Sequence, residues 1–184
     1  MININIILIS GKSNSGKTCV SQIIEESLKS KNRNVIRCSL STYIREITKN
    51  DFFWDGVDTL ESRKFMAEVY RVGTEFYPYH MARRVWERDI LPYANEYSVV
   101  IVESFREKVN YDFFKIILDE CEIIDDIITV RVVRPNFNVI QDEEMESHVS
   151  ESDLDDFIFD YTIVNDTTID KLENRIKNTI VRYM

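Results

Sequence analysis

Read from the amino terminus, the chain alternates between short continuous apolar runs and stretches with helical spacing. Residues 4–9 read Ile-Asn-Ile-Ile-Leu-Ile, a β-branched run of the kind a buried parallel strand carries. After Thr18 the rhythm becomes helical. Val20, Ile23, Ile24 and Leu28 mark one face, and the spacing predicts a helix to about residue 31. A turn at Asn32-Arg33-Asn34 leads into a second short strand at 35–40, then a helix over 42–49. The aromatic loop Phe52-Phe53-Trp54-Asp55-Gly56 reads as packing against the sheet. Helices are predicted over 60–74 and 79–93, then a third strand at 98–102, the most β-branched segment of the chain. A helix over 111–120 and a fourth strand over 127–133 follow, the strand closed by Arg134-Pro135. Residues 136–156 are polar and acidic without a core face, and read as a mobile excursion. A fifth strand at 161–164 and a closing helix over 169–183 complete the pattern. This alternation predicts an α/β fold: a parallel sheet covered on both faces, with ligands at the C-terminal ends of its strands.

Composition narrows the function classes. The 184 residues suit one domain with a sizeable core. No signal peptide and no stretch long enough to span a membrane is evident, so a cytoplasmic protein is expected. Cys19, Cys38 and Cys121 lack metal-ligand spacing and are expected to be buried free thiols. The net charge of −9 argues against a nucleic-acid-binding surface. Against that background, Arg63, Lys64, Arg71, Arg83, Arg84, Arg88, Arg106, Arg131 and Arg134 form a basic middle. Such a distribution suits a small, multiply phosphorylated ligand.

The chemistry concentrates in Gly11-Lys12-Ser13-Asn14-Ser15-Gly16-Lys17-Thr18. These residues spell G-x-x-x-x-G-K-T between a strand and a helix, the context that gives this phosphate-binding loop its meaning. Its backbone N–H groups, at the positive end of a helix dipole, wrap around a phosphate. Lys17 is expected to bridge the β- and γ-phosphates, and the Thr18 hydroxyl to coordinate Mg²⁺.

Further segments resemble the phage-type deoxynucleoside monophosphate kinases and the related animal-type phosphomevalonate kinases. Ser10 to Lys17 fits their S-G-K-x-x-S-G-K loop. Leu40-Ser41-Thr42-Tyr43-Ile44-Arg45-Glu46 is similar to their L-S-G-P-L-K-E segment, and Gly73-Thr74-Glu75 with Trp86 downstream is similar to the phage-type G-T-[DE] and tryptophan. Arg106 matches the arginine of V-x-D-x-R, and Val132-Val133-Arg134-Pro135 matches V-V-R-P. His148-Val149-Ser150-Glu151 resembles H-x-[ST]-E, and Val164-Asn165-Asp166 resembles I-x-N-D. The matches run in order over nearly the whole chain. Three departures stand out. The family's acid falls on Ser104, with Glu103 one position earlier; the basic pair Arg63-Lys64 lies farther from Gly73 than usual; and Asn14 stands where some relatives carry a basic residue.

The resemblance implies a three-layer P-loop kinase fold with a five-stranded parallel sheet, an acceptor-binding helical region over about 41–95 and a lid over about 134–157. It implies transfer of the ATP γ-phosphate to a nucleoside or deoxynucleoside monophosphate, with ATP and Mg²⁺ and no nucleic-acid or membrane partner. A homodimer is an assembly open to members of this size. Lys17, Arg106 and Arg134 are the expected catalytic residues. Arg45, Arg63, Arg71, Trp86, Glu103 and Arg106 are expected around the acceptor, although Trp86 also suits the core. Arg134, His148 and Glu151 are expected in the lid. Asn165 and Asp166 would border the donor adenine, or Asp166 would help cap the last helix. The open alternatives are a phosphomevalonate kinase-like enzyme and a non-catalytic nucleotide-binding protein. A GTPase is disfavoured because no guanine-reading N-K-x-D segment is present.

Overall fold

In the computed structural model, which describes residues 4–121, 123–135 and 154–184, the first apolar run becomes β1 (Ile4–Ser10). Every residue of β1 except Asn5 is buried, as a strand with neighbours on both edges and helices on both faces requires. β2 (Val35–Ser39), β3 (Val99–Glu103), β4 (Ile124–Val133) and β5 (Tyr161–Val164) join it in a five-stranded sheet of order β2-β3-β1-β4-β5. All four pairings are parallel, so the strand C-termini share one edge. β3 lies between β2 and β1, and the chain then crosses to the far side of β1 for β4. The crevice at the C-terminal ends of β1 and β3 is where such a sheet receives a ligand.

Helices cover both faces. α1 (Lys17–Lys29) and the last helix, Ile169–Thr179, pack Val20, Ile24, Leu28, Leu172 and Ile176 on Ile7, Ile9, Val99, Ile101 and Val132. On the opposite face lie α2 (Thr42–Asp51), α3 (Leu60–Phe76), α4 (His80–Val85) and α5 (Lys108–Glu120); the last helix is therefore α6. Ile44, Met81, Val85, Phe113 and Phe114 meet Ile6, Leu8, Val100 and Val102 there. Full burial of each such side chain contributes about 1.5–3 kcal/mol, and the two apolar layers account for the expected three-layer arrangement.

Differences from the expected boundaries have local causes. The helix expected over 79–93 breaks after α4 into a π-helical turn (Trp86–Ile90) and a 3-10 turn (Leu91–Tyr93). Pro92 has no N–H with which to continue the helix. β4 begins at Ile124 instead of 127 because its register against β1 slips between Ile4 and Asn5, leaving Asp125 out of the ladder as a bulge. Two exposed acids in succession hid that strand start. α5 starts at Lys108 instead of 111; its first residue is preceded by Glu107, which makes no side-chain cap, so no local signal announced it. Among the described residues no helix is long and apolar enough to cross a membrane. The cysteines are free thiols, but only partly buried.

Gly73, inside α3, gives the first prediction. Alanine in a helix interior normally stabilises relative to glycine by about 0.5–1 kcal/mol. A Cβ here would lie 2.7 Å from His80 Nε2 and 3.1 Å from two carbons of the same ring. That ring is held by a 3.2 Å contact between Nδ1 and the Tyr77 carbonyl oxygen, and burial pushes its pKa down. Gly73→Ala is therefore expected to destabilise by about 1–2 kcal/mol, and adding His80→Ala to turn the same change favourable; urea unfolding of the double-mutant cycle checks the sign.

Candidate active site

β1 delivers the chain into the glycine loop, whose two glycines are required for different reasons. Gly11 has φ +150°, and a Cβ there would sit 2.4 Å from the carbonyl oxygen of Val132 on β4. Gly16, in the left-handed region at φ +96°, is the residue from which α1 starts. A Cβ there would sit 2.3 Å from the side-chain nitrogen of Asn165. That same Asn165 Nδ2 donates to the Ser15 carbonyl at 3.0 Å, and its backbone N–H donates to Val133 O at 2.7 Å. The loop is thus clamped between the ends of β4 and β5. Asn14 also takes a positive φ, +56°, which asparagine tolerates better than most residues.

α1 makes no side-chain cap bond and carries no acid in its first turn, so its dipole and its first N–H groups remain directed at the loop. Lys17 Nζ donates to Gly11 O at 2.6 Å and to Lys12 O at 2.7 Å. Those bonds hold the ammonium on the concave side of the loop. Ser15 is 4% exposed, and among the described residues its hydroxyl oxygen has no hydrogen-bond partner. An orphaned buried hydroxyl is costly unless a ligand completes it. Beside the loop lies a cavity of about 160 Å³, walled by Lys12, Ser13, Asn14 and Ser15 on one side and Arg131, Val132, Val133 and Arg134 on the other.

The departure at Ser104 has a structural counterpart. Glu103 ends β3 beside β1 and turns its carboxylate toward α1. Thr18 Oγ1 donates to Glu103 Oε2 at 3.3 Å, and Ser21 Oγ donates to Oε1 at 2.5 Å. The hydroxyl expected to hold Mg²⁺ and the nearest acid therefore meet. Arg37 Nη1, from β2, donates to Glu103 Oε1 at 3.1 Å, and Arg37 Nε donates to Glu25 of α1. Burial pushes the Glu25 carboxyl up, but hydrogen bonds from Lys29 and Arg37 outweigh it and hold the group below its usual range. Ser104 itself takes φ +64° and faces another set of groups. Its hydroxyl accepts from Ser39 Oγ at 3.1 Å and lies 3.3 Å from Ser41 Oγ. The strand ends nearest the expected acceptor thus gather neutral hydroxyls.

These residues fit a magnesium–nucleotide group. Two glycines leave room for phosphate oxygens close to backbone, Ser15 has an unused hydroxyl, and Thr18 and Glu103 converge on one point. Among the described residues no cluster of three His, Cys, Asp or Glu side chains forms a metal cage. Mg²⁺ is held by few protein groups together with phosphates and water, and one hydroxyl with one carboxylate meets that need.

The remaining expected residues are dispersed. Arg106 follows β3 and is partly buried, while Arg45 is exposed on α2 with its guanidinium 5.8 Å from the Trp54 ring centre. Two of the expected acceptor residues lie beside acids. Arg63 makes a bidentate pair with Asp58 at 2.8 and 2.9 Å, which holds the Asp58 carboxyl below its usual range. Arg71 pairs with Glu68 and Glu75 on the exposed side of α3. Both are engaged by neighbouring acids in place of the strand ends. Trp86 is 6% exposed and belongs to the core cluster, so its ring offers no open platform to a base. Phe52 packs edge-on against Phe65 and Phe53 is 89% exposed, so this loop does not cover the sheet as expected. Asp166 pairs with Arg175 at 3.1 Å and makes no cap bond to α6. His148, Glu151 and the lid from 136 to 153 lie outside the described residues. Ser21, Arg37 and Glu25 went unassigned in the sequence. Their one signal is Arg37, a charge on the same β2 face as Val35, where an apolar residue is expected.

No family model matches the chain, and neither does any curated protein. Solved structures do. A thymidylate kinase from Ehrlichia chaffeensis superposes with TM-score 0.53 at 18% identity, over 96% of this chain and 97% of its own. The APS kinase of Mycobacterium tuberculosis, solved in complex with AMPPNP and APS, gives 0.52 at 16%, over 97% and 98%. A sugar kinase from Janibacter sp. HTCC2649 gives 0.53 at 14%, over 97% and 95%. Across nearly its full length the chain therefore shares its three-layer α/β fold, with a five-stranded parallel sheet, with P-loop kinases.

Proposed function

We propose that this protein is an ATP- and Mg²⁺-dependent phosphotransferase that moves the γ-phosphoryl group onto the phosphate of a nucleoside or deoxynucleoside monophosphate. The observation that carries the reading is the meeting of Thr18 and Glu103 beneath a loop whose lysine and glycines are placed to receive phosphates. The glycine loop and Lys17 hold the donor phosphates, and Thr18 with Glu103 holds the metal. Mg²⁺, when bound, neutralises charge on the β- and γ-oxygens. Arg134, in the cavity wall beside Lys12, serves the donor, and Arg106 with Arg45 serves the acceptor phosphate. Positioning and charge stabilisation are the whole task, because phosphoryl transfer needs no covalent protein intermediate.

Proton bookkeeping supports a phosphate acceptor. An alcohol acceptor must lose a proton to a base during transfer. Here Glu103 is engaged by Thr18, Ser21 and Arg37, and the groups gathered at the ends of β2 and β3 are the Ser39, Ser41 and Ser104 hydroxyls. A phosphomonoester, whose second pKa is about 6, is already an anion at neutral pH and needs no base. The fold is shared with kinases named for alcohol-bearing and for nucleotide substrates alike. The neutral serine cluster favours the second group.

The test is ADP release with ATP·Mg²⁺ against a panel of nucleoside and deoxynucleoside monophosphates, phosphomevalonate, and simple alcohols such as sugars. Turnover is expected with one or a few of the nucleotides. Turnover with phosphomevalonate alone would move the assignment to the related small-molecule kinases, and turnover with an alcohol alone would overturn the acceptor argument.

A further inference from the structure

We infer that Arg37 is a positioning residue that decides which oxygen of Glu103 is offered to the metal; the inference rests on the phosphotransfer reading above. Glu103 Oε1 is anchored twice, by the Ser21 hydroxyl at 2.5 Å and by Arg37 Nη1 at 3.1 Å. Oε2 has only the longer 3.3 Å bond from Thr18. The carboxylate is therefore fixed on one oxygen and exchangeable on the other, and the exchangeable one faces the metal-binding hydroxyl.

Arg37 is itself anchored from behind. Its Nε donates to Glu25 Oε2, whose other oxygen accepts from Lys29 Nζ at 2.7 Å. A planar guanidinium already held at Nε by one carboxylate loses little further freedom when its Nη1 is used to orient another. The side chains of Arg37, Glu25 and Glu103 are 30%, 16% and 15% exposed, more buried than the solvated surface pairs that contribute almost nothing. Nor is stability a sufficient reason for the pair, since desolvation offsets most of the attraction between partly buried charges. Arg37 shares the α1-facing side of β2 with Val35, where an aliphatic residue would bury apolar surface at no electrostatic cost. A positive charge next to a cation site repels the metal, so its place there calls for an offsetting role. Holding Oε1 is that role: it keeps Oε2 turned toward the Thr18 hydroxyl, where the metal is expected, and the gain in orientation outweighs the repulsion.

The experiment titrates Mn²⁺, as a paramagnetic stand-in for Mg²⁺, into the full-length protein with ADP and follows free Mn²⁺ by EPR; ADP affinity without metal is measured by calorimetry. Loss of an outer-sphere orienting group costs metal affinity about tenfold or more. Arg37→Ala is expected to weaken Mn²⁺ binding in the ADP complex by about that factor, with ADP affinity in the absence of metal unchanged. Arg37→Lys should recover part of the loss, and Ser21→Ala, which removes the other anchor on Oε1, should shift Mn²⁺ affinity in the same direction. If Arg37→Ala does not fold, Ser21→Ala and Arg37→Lys carry the test. Folded variants with wild-type Mn²⁺ affinity would overturn the role of Arg37 and leave the phosphotransfer reading standing. A wild-type protein that binds ADP no better with Mn²⁺ than without it would overturn both.

Discussion

Lys17→Ala is expected to lower kcat/KM for phosphoryl transfer by about a hundred- to a thousandfold, or about 3–4 kcal/mol of transition-state stabilisation. The ammonium sits on the concave side of the loop, 2.6 and 2.7 Å from two loop carbonyls, where it would offer a fixed positive charge to the oxygens of the transferred group. The fold should survive the change, because the bonds of that side chain to Gly11 and Lys12 lie within the loop and not between the apolar layers. Steady-state kinetics with ATP and the best acceptor, run beside a thermal melt, separate the two effects. Activity within a factor of about three of wild type in a folded variant would deny Lys17 a part in the chemistry.

Gly11→Ala should do the opposite, removing stability and binding together. Its Cβ would lie 2.4 Å from the Val132 carbonyl oxygen and 2.6 Å from Ser15 Oγ, at a φ of +150°. Val132 pairs with Ile163 of β5 and directly follows Arg131, the last β4 residue in register with β1, so it cannot retreat without disturbing the sheet. Overpacking and a strained dihedral together are expected to cost about 3 kcal/mol or more, with loss of ADP binding. Two other glycines calibrate the claim. At Gly16 the obstacle is the Asn165 side chain, so Asn165→Ala should recover part of the damage done by Gly16→Ala. At Gly56 nothing lies within 4 Å and only the φ of +90° is unfavourable, so Gly56→Ala should cost about 1 kcal/mol. Urea unfolding and ADP calorimetry on the series read both quantities.

The order of elements and the parallel sheet were legible because β1, β3 and β5 are marked by short runs rich in β-branched residues, such as Val99-Val100-Ile101-Val102, whose length and composition suit a buried strand. The glycine loop was legible because its residues act through backbone geometry that only such a spelling allows. What was not legible depended on register. No local pattern tells that Ser39 lies opposite Glu103, and so none tells that Arg37 on β2 reaches the same carboxylate as Ser21 on α1. The acid appeared to be missing because the resemblance places it at position 104. In the structure the residue there turns away at positive φ while Glu103, one residue earlier, points to the α1 side. The surroundings of Arg63 and Arg71 were hidden for a related reason: a basic residue on a helix reads the same in sequence whether it faces a ligand or a neighbouring acid, and in this structure Asp58, Glu68 and Glu75 are the acids beside them. Trp86 followed the hydrophobic arc of Met81, Ala82 and Val85 into the core, as a large apolar ring does when that route is open.

The most direct measurement follows the fate of the γ-phosphoryl group. The protein is incubated with γ-³²P-labelled ATP, Mg²⁺ and the monophosphate that releases most ADP, and the labelled products are separated. The account predicts label in the β-position of a nucleoside diphosphate, dependent on Mg²⁺ and lost in Lys17→Ala. Label appearing only as inorganic phosphate, or as an ester on an alcohol, would contradict it.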